Sequence, residues 1–112
     1  MTDICNLTNK QCKPCEGGVL PLTAEEANKL MQQLEGWSLA NNKISKTFEF
    51  KNHYQTMAFV NAVAWLSHRE DHHPDMMVGY NKCHVEYMTH AINGLSENDF
   101  ICAAKIDWLF KI

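Results

Sequence analysis

Apolar residues recur at helical spacing in three stretches of the chain and alternate with polar ones in two shorter runs. In the first stretch Ala27, Leu30, Met31 and Leu34 follow Thr23-Ala24-Glu25-Glu26, a capping box, and Gly36 closes the run, so a helix is predicted over Ala24–Leu34. Trp37–Ala40 and Lys43–Phe50 flank Asn41-Asn42, a pair that tolerates the positive φ of a two-residue hairpin turn. In the second of these strands Ile44, Phe48 and Phe50 point one way and Ser45, Thr47 and Glu49 the other, the pattern of a sheet with one covered face.

Asn52, with Gln55 three residues on, caps a second and longer helix whose predicted inner face is Tyr54, Met57, Ala58, Phe59, Ala62, Val63 and Leu66. Pro74 disfavours helical geometry at His73, which ends this helix near Asp71 or His72. Met76–Tyr80 and Cys83–Thr89 form a second hairpin, turned at Asn81-Lys82, with Val85 and Tyr87 alternating against Glu86 and Met88. Ser96-Glu97-Asn98-Asp99 opens a third helix that turns Phe100, Ala103, Ile106 and Phe110 inward. The order is αββαββα. Two hairpins make a four-stranded antiparallel sheet and three amphipathic helices cover one of its faces, an α+β two-layer fold.

At 112 residues and 46% hydrophobic the chain can bury a core as one domain, residues 19–112, preceded by a cysteine-containing arm over residues 1–18. A formal charge of −3 offers no field for phosphate backbones and argues against direct nucleic-acid binding. The run Met57–Leu66 is too short to span a bilayer and the N-terminal residues lack an apolar leader, so the expected location is the cytoplasm, away from membranes. Five cysteines, an odd number, fit a reducing compartment. Cys5, Cys12 and Cys15 cluster, and Cys12-Lys13-Pro14-Cys15 has the spacing of a redox or zinc pair. No strand precedes it, as a thioredoxin-like site requires, and a zinc ion would need a distant fourth ligand.

The candidate chemistry lies in Glu70-Asp71-His72-His73-Pro74 and in His90. Imidazole titrates near neutrality, so grouped histidines can both give and take protons. Hairpin pairing sets the start of the third strand beside the end of the fourth and brings His72, His73 and His90 to one rim. His68 and His72 share the four-residue spacing of zincin helices, but Glu70 falls third in His68-Arg69-Glu70-Asp71-His72, where a metalloprotease needs the glutamate second. Cys83 and Cys102 read as core residues and Asp99 as a helix-cap residue or a site residue. Trp65 and Trp108 read as core or interface aromatics, Trp37 as one of these or as a ring lining a pocket, and His84 and Glu86 as cleft border or solvent face.

Glu70-Asp71-His72-His73-Pro74, Tyr80-Asn81-Lys82, Thr89-His90, Gly94-Leu95-Ser96 and Asp99 together resemble the signature of the pterin-4a-carbinolamine dehydratases, also called dimerisation cofactors of hepatocyte nuclear factor. The resemblance runs from about Leu22 to Phe110 and implies the same αββαββα fold. It implies a 4a-hydroxytetrahydropterin substrate, dehydrated to the quinonoid dihydropterin in tetrahydrobiopterin recycling that serves aromatic amino acid hydroxylases such as phenylalanine hydroxylase. By it His72 and His90 are the acid/base pair and His73 binds substrate; Asp71 and Thr89 lie in pterin-binding segments, and Trp37 and Asp99 match pocket-side positions. No metal or other cofactor is implied, the pterin being the substrate, and a homodimer, or the tetramer of animal relatives, is the implied assembly. Met76 departs from the aromatic residue often found after the Pro-acidic pair, and the arm resembles extensions on bacterial members. A non-catalytic interaction module for a hydroxylase or transcription factor, and a role near molybdopterin, are the competing readings.

Overall fold

The computed structural model describes residues 4–13 and 20–111. Cys15, and with it the Cys12–Cys15 pair, lies outside the described residues, as does the arm boundary at residue 18. A 3₁₀ turn over Ile4–Asn9 is followed by α1 (Ala24–Met31), β1 (Ser38–Ala40), β2 (Lys43–Glu49), α2 (His53–Glu70), β3 (Asp75–Val78), β4 (Lys82–Tyr87) and α3 (Glu97–Lys111). The four strands form one antiparallel sheet in the order β1-β2-β4-β3. The α+β order read from the sequence is the order of the fold.

Local chemistry accounts for most boundaries. The Thr23 hydroxyl accepts the Glu26 N–H (3.1 Å) and the Glu26 carboxylate accepts the Thr23 N–H (2.8 Å), the reciprocal pair of a capping box. The helix stops at Met31 rather than Leu34, because Gln33 and Leu34 tighten into bonds three residues back. Asn41 (φ 54°) and Asn42 (φ 61°) make the first hairpin turn with two left-handed residues. The second hairpin turns earlier than expected: Lys82 already belongs to β4, and the Gly79 N–H bonds to its carbonyl (2.8 Å) across Tyr80 and Asn81.

Two differences from the sequence reading have clear causes. The apolar pattern puts Tyr54 and Ala58 on the inner face of α2, yet both are exposed, Tyr54 at 86%; Thr56 is fully buried instead. The Thr56 hydroxyl donates to the Tyr80 carbonyl (2.9 Å), so a polar residue takes an inward position that hydrophobicity alone assigns to its neighbours. On α3, Phe100, Ala103 and Ile106 face inward as read, while Phe110 is 44% exposed although its ring meets those of Phe48 and Phe50. A second stripe, Asn98, Ile101 and Cys102, is buried as well. The N-terminal segment covers the rest of that side: Leu7 is buried in the same core cluster, and Lys10 pairs with Glu97 (2.6 Å).

The core lies between the helices and the inner sheet face, where Ile44, Phe48, Cys83, Val85 and Tyr87 meet Ala27, Phe59, Val63 and the α3 residues. Lys46 points inward among them, and its ammonium reaches Asp107 (2.9 Å) and the Glu35 carbonyl (2.7 Å). The opposite face is polar, with Thr47 bonded to His84 (2.8 Å) and His84 to Glu86 (3.3 Å).

Candidate active site

The site begins where α2 ends. Asp71 takes the left-handed conformation (φ 53°, ψ 42°), which Asp tolerates better than most residues, and the His72 N–H turns back to the Ser67 carbonyl (3.2 Å). Pro74 is buried and keeps the next residues extended, so His72 and His73 leave the helix beside the start of β3. The His72 ring stacks on Tyr87 of β4, centroids 5.7 Å apart and planes 9° apart.

Behind His72 lies Asp99, which is fully buried. Its Oδ1 is 2.7 Å from His72 Nε2; its Oδ2 accepts the Thr89 hydroxyl (2.8 Å) and the Ser96 N–H (3.0 Å). A carboxylate only accepts, so Nε2 carries the proton of that bond and Nδ1 is the nitrogen left for exchange in the neutral ring. The Thr89 proton is committed to Asp99, which makes the Ser96 hydroxyl the donor in the 2.7 Å contact between the two. Asp99 is thus a cap residue of α3 and the anchor of His72 at once.

His90 comes from the opposite side. A bridge between Thr89 and Gly94 closes a small loop whose first residue is His90, with Asn93 left-handed (φ 54°) at its turn. A Cβ on Gly94 would sit 2.8 Å from the Pro21 ring, so only glycine allows this loop to close against the segment leading into α1. Asp71, His72, His73, Met88, Thr89 and His90 line one cleft of about 450 Å³. Asp99 lies beneath that wall rather than on it. Trp37 lies outside the cleft: it is buried, its indole N–H donates to the Asp107 carboxylate (2.9 Å), and Tyr87 stands between it and His72. His84 and Glu86 face the other side of the sheet, and His68 lies against Trp65.

The far wall is Cys12, Lys13, Glu70 and Asn98, of which sequence reasoning missed all but Glu70. The Asn98 amide clamps Lys13, accepting its N–H (3.0 Å) and donating to its carbonyl (2.5 Å). Glu70 accepts the Cys12 N–H (2.9 Å) and the Lys105 ammonium (2.6 Å). Burial alone would raise the Glu70 carboxyl, but these two donors outweigh it and hold it below the usual carboxylate range. No local pattern marks the contacts that seat Cys12 and Lys13, which join residues 58 and 85 positions apart. A second groove of about 520 Å³, between α2 and α3, is lined by Trp65, Leu66, Trp108 and Leu109 and holds no histidine.

Comparison with known proteins shows the family and the fold. A protein of Nitrosomonas europaea, provisionally named a pterin-4-alpha-carbinolamine dehydratase, is 77% identical over 112 residues, covering 99% of each chain. The crystal structure of a transcriptional coactivator/pterin dehydratase from Brucella melitensis superposes with a TM-score of 0.76 at 31% identity, covering 80% of this chain and 97% of that one. A pterin dehydratase-like protein described as a RuBisCO assembly factor of the alpha-carboxysome superposes with a TM-score of 0.58 at 26% identity, covering 67% and 89%. The sequence profile of pterin 4 alpha carbinolamine dehydratase matches residues 20–109, and the chain belongs to that family of hydro-lyases.

Proposed function

We propose that the protein removes water from a 4a-hydroxytetrahydropterin to give the quinonoid dihydropterin, with His72 and His90 carrying the protons. The elimination breaks the C4a–O bond, with a proton supplied to the departing hydroxyl and one withdrawn from N5, so it is redox-neutral. His73, Asp71 and Thr89 contact the ring. One observation carries the reading: His72 is held by Asp99 in a cleft that His73 and His90 share. A carbinolamine collapses readily, and positioned acid/base groups contribute roughly 10² to 10⁴ in rate, enough for so spare a site. Recycling of tetrahydropterin beside an aromatic amino acid hydroxylase, by a homodimer in the cytoplasm, belongs to the same proposal.

The test is the dehydration rate of synthetic 4a-hydroxytetrahydropterin. Wild-type protein accelerates it, and the double variant His72→Ala/His90→Ala, folded by circular dichroism, does not; equal rates would overturn the reading. A second reading, a non-catalytic interaction module, draws on the assembly role of the alpha-carboxysome protein that shares the fold and on Trp65 and Trp108, 64% and 58% exposed. It requires purified protein without dehydratase activity, and partner binding that survives both histidine changes.

A further inference from the structure

The sulfurs of Cys12 and Cys102 are 3.5 Å apart, though the residues are 90 positions apart in sequence. Two features make this contact a built one. Each sulfur has its own backbone acceptor, Cys12 the Asn98 carbonyl (3.7 Å) and Cys102 the His72 carbonyl (4.0 Å), so both S–H bonds can point away and leave the sulfurs facing. Both backbones are also held: Cys102 is buried inside α3, and Cys12 is pinned by Glu70 on one side and by the Asn98–Lys13 clamp on the other. Cys102 has no exposure, whereas Cys12 is half-buried on the cleft wall.

We propose that Cys12 and Cys102 are a reversible oxidation site at which a peroxide closes a disulfide, fastening the N-terminal segment to α3 across the back of the cleft. Cys12, the accessible partner, attacks one peroxide oxygen as its thiolate. The O–O bond breaks, the departing hydroxide takes up the proton that Cys12 gave up and leaves as water, and a sulfenic acid forms. The Cys102 sulfur then attacks the Cys12 sulfur; the S–O bond breaks, a second water leaves with the Cys102 proton, and the S–S bond forms. Two electrons pass from the thiols to the peroxide, and a dithiol reductant returns them. The Cys102 thiol 3.5 Å away, burial and the Glu70 carboxylate push the Cys12 thiol well above its usual range. The thiolate is therefore scarce at neutral pH, so the first step is slow and quickens as pH rises.

The experiment treats reduced, folded full-length protein with hydrogen peroxide, blocks remaining thiols with iodoacetamide and maps cysteine-containing peptides without reduction. The expected product joins the Cys12 and Cys102 peptides, is two hydrogens lighter than the reduced chain and reverts with dithiothreitol. A cross-link closing so long a loop raises Tm on the order of 10 °C. Cys15→Ser retains the link; Cys102→Ala abolishes it and leaves a Cys12 sulfenic acid that dimedone traps. A Cys12–Cys15 disulfide, or Cys12 driven to sulfinic acid while Cys102 stays alkylatable, would overturn the proposal, and the wild-type map decides even if Cys102→Ala does not fold.

Discussion

His72 and His90 share one cleft and differ in nearly everything else. The His72 side chain is 12% exposed, stacked on Tyr87 and bonded to a carboxylate that two further donors hold in place. His90 is exposed at the start of the Thr89–Gly94 loop, and His73 is exposed as well. The same chemical group is thus set in two ways. One imidazole has lost its rotational freedom to the fold before any ligand arrives, and the other two keep theirs on the exposed surface. Preorganisation of this kind costs the protein a buried carboxylate, which is stable only while its donors remain.

Removing that carboxylate breaks the contrast most severely. Asp99→Ala leaves His72, Thr89 and the Ser96 N–H without their acceptor, and a loss of about 3–5 kcal/mol is expected in urea titration. Dehydration falls with it. Next come the histidines: each of His72→Ala and His90→Ala should slow dehydration by roughly 10² to 10⁴. Their stabilities should diverge, because His72→Ala strands a buried carboxylate oxygen at a cost of about 1–3 kcal/mol. His90→Ala stays within about 0.5 kcal/mol. Equal costs in thermal or urea unfolding would show that His72 is not held more firmly than His90.

Thr89→Val tests the support one step further back. It removes the hydroxyl between Asp99 and Ser96 and should cost about 1–3 kcal/mol, with the loss of rate following the loosening of His72. The smallest effect concerns the far wall. Glu70 has its folded-state pKa depressed by Lys105 and the Cys12 N–H, so it contributes stability above the unfolded value near 4.5, and that contribution disappears as pH falls through the folded value. Glu70→Gln should therefore be less stable than wild type at neutral pH, with the gap narrowing in urea titrations taken below about pH 4.5. A gap independent of pH would place the effect of Glu70 in packing rather than charge.

The features legible in the sequence were those decided within a few residues. Thr23 with Glu26, Asn41-Asn42, Asn52 with Gln55 and the Pro74 stop mark their structures because each bond closes between near neighbours. The convergence of His72, His73 and His90 was legible for a related reason, since antiparallel pairing of adjacent strands sets the start of one beside the end of the next. Thr56 in place of Tyr54 was not, because its burial depends on a carbonyl 24 residues away.

What the sequence determined by itself was the order αββαββα, the caps and turns that delimit it, and the rim on which the histidines meet. These rest on hydrogen bonds and periodicities that the chain carries locally. Tertiary structure alone decided which histidine is fixed, since Asp99 reaches His72 only when α3 packs against α2. It also decided that Asp99 supports the cleft wall from beneath, that Trp37 serves the core, and that Cys12, Lys13 and Asn98 form the far side of the cleft. Those contacts join residues from 27 to 90 positions apart. Such pairs cost chain entropy to bring together and are compensated by the burial of the whole core.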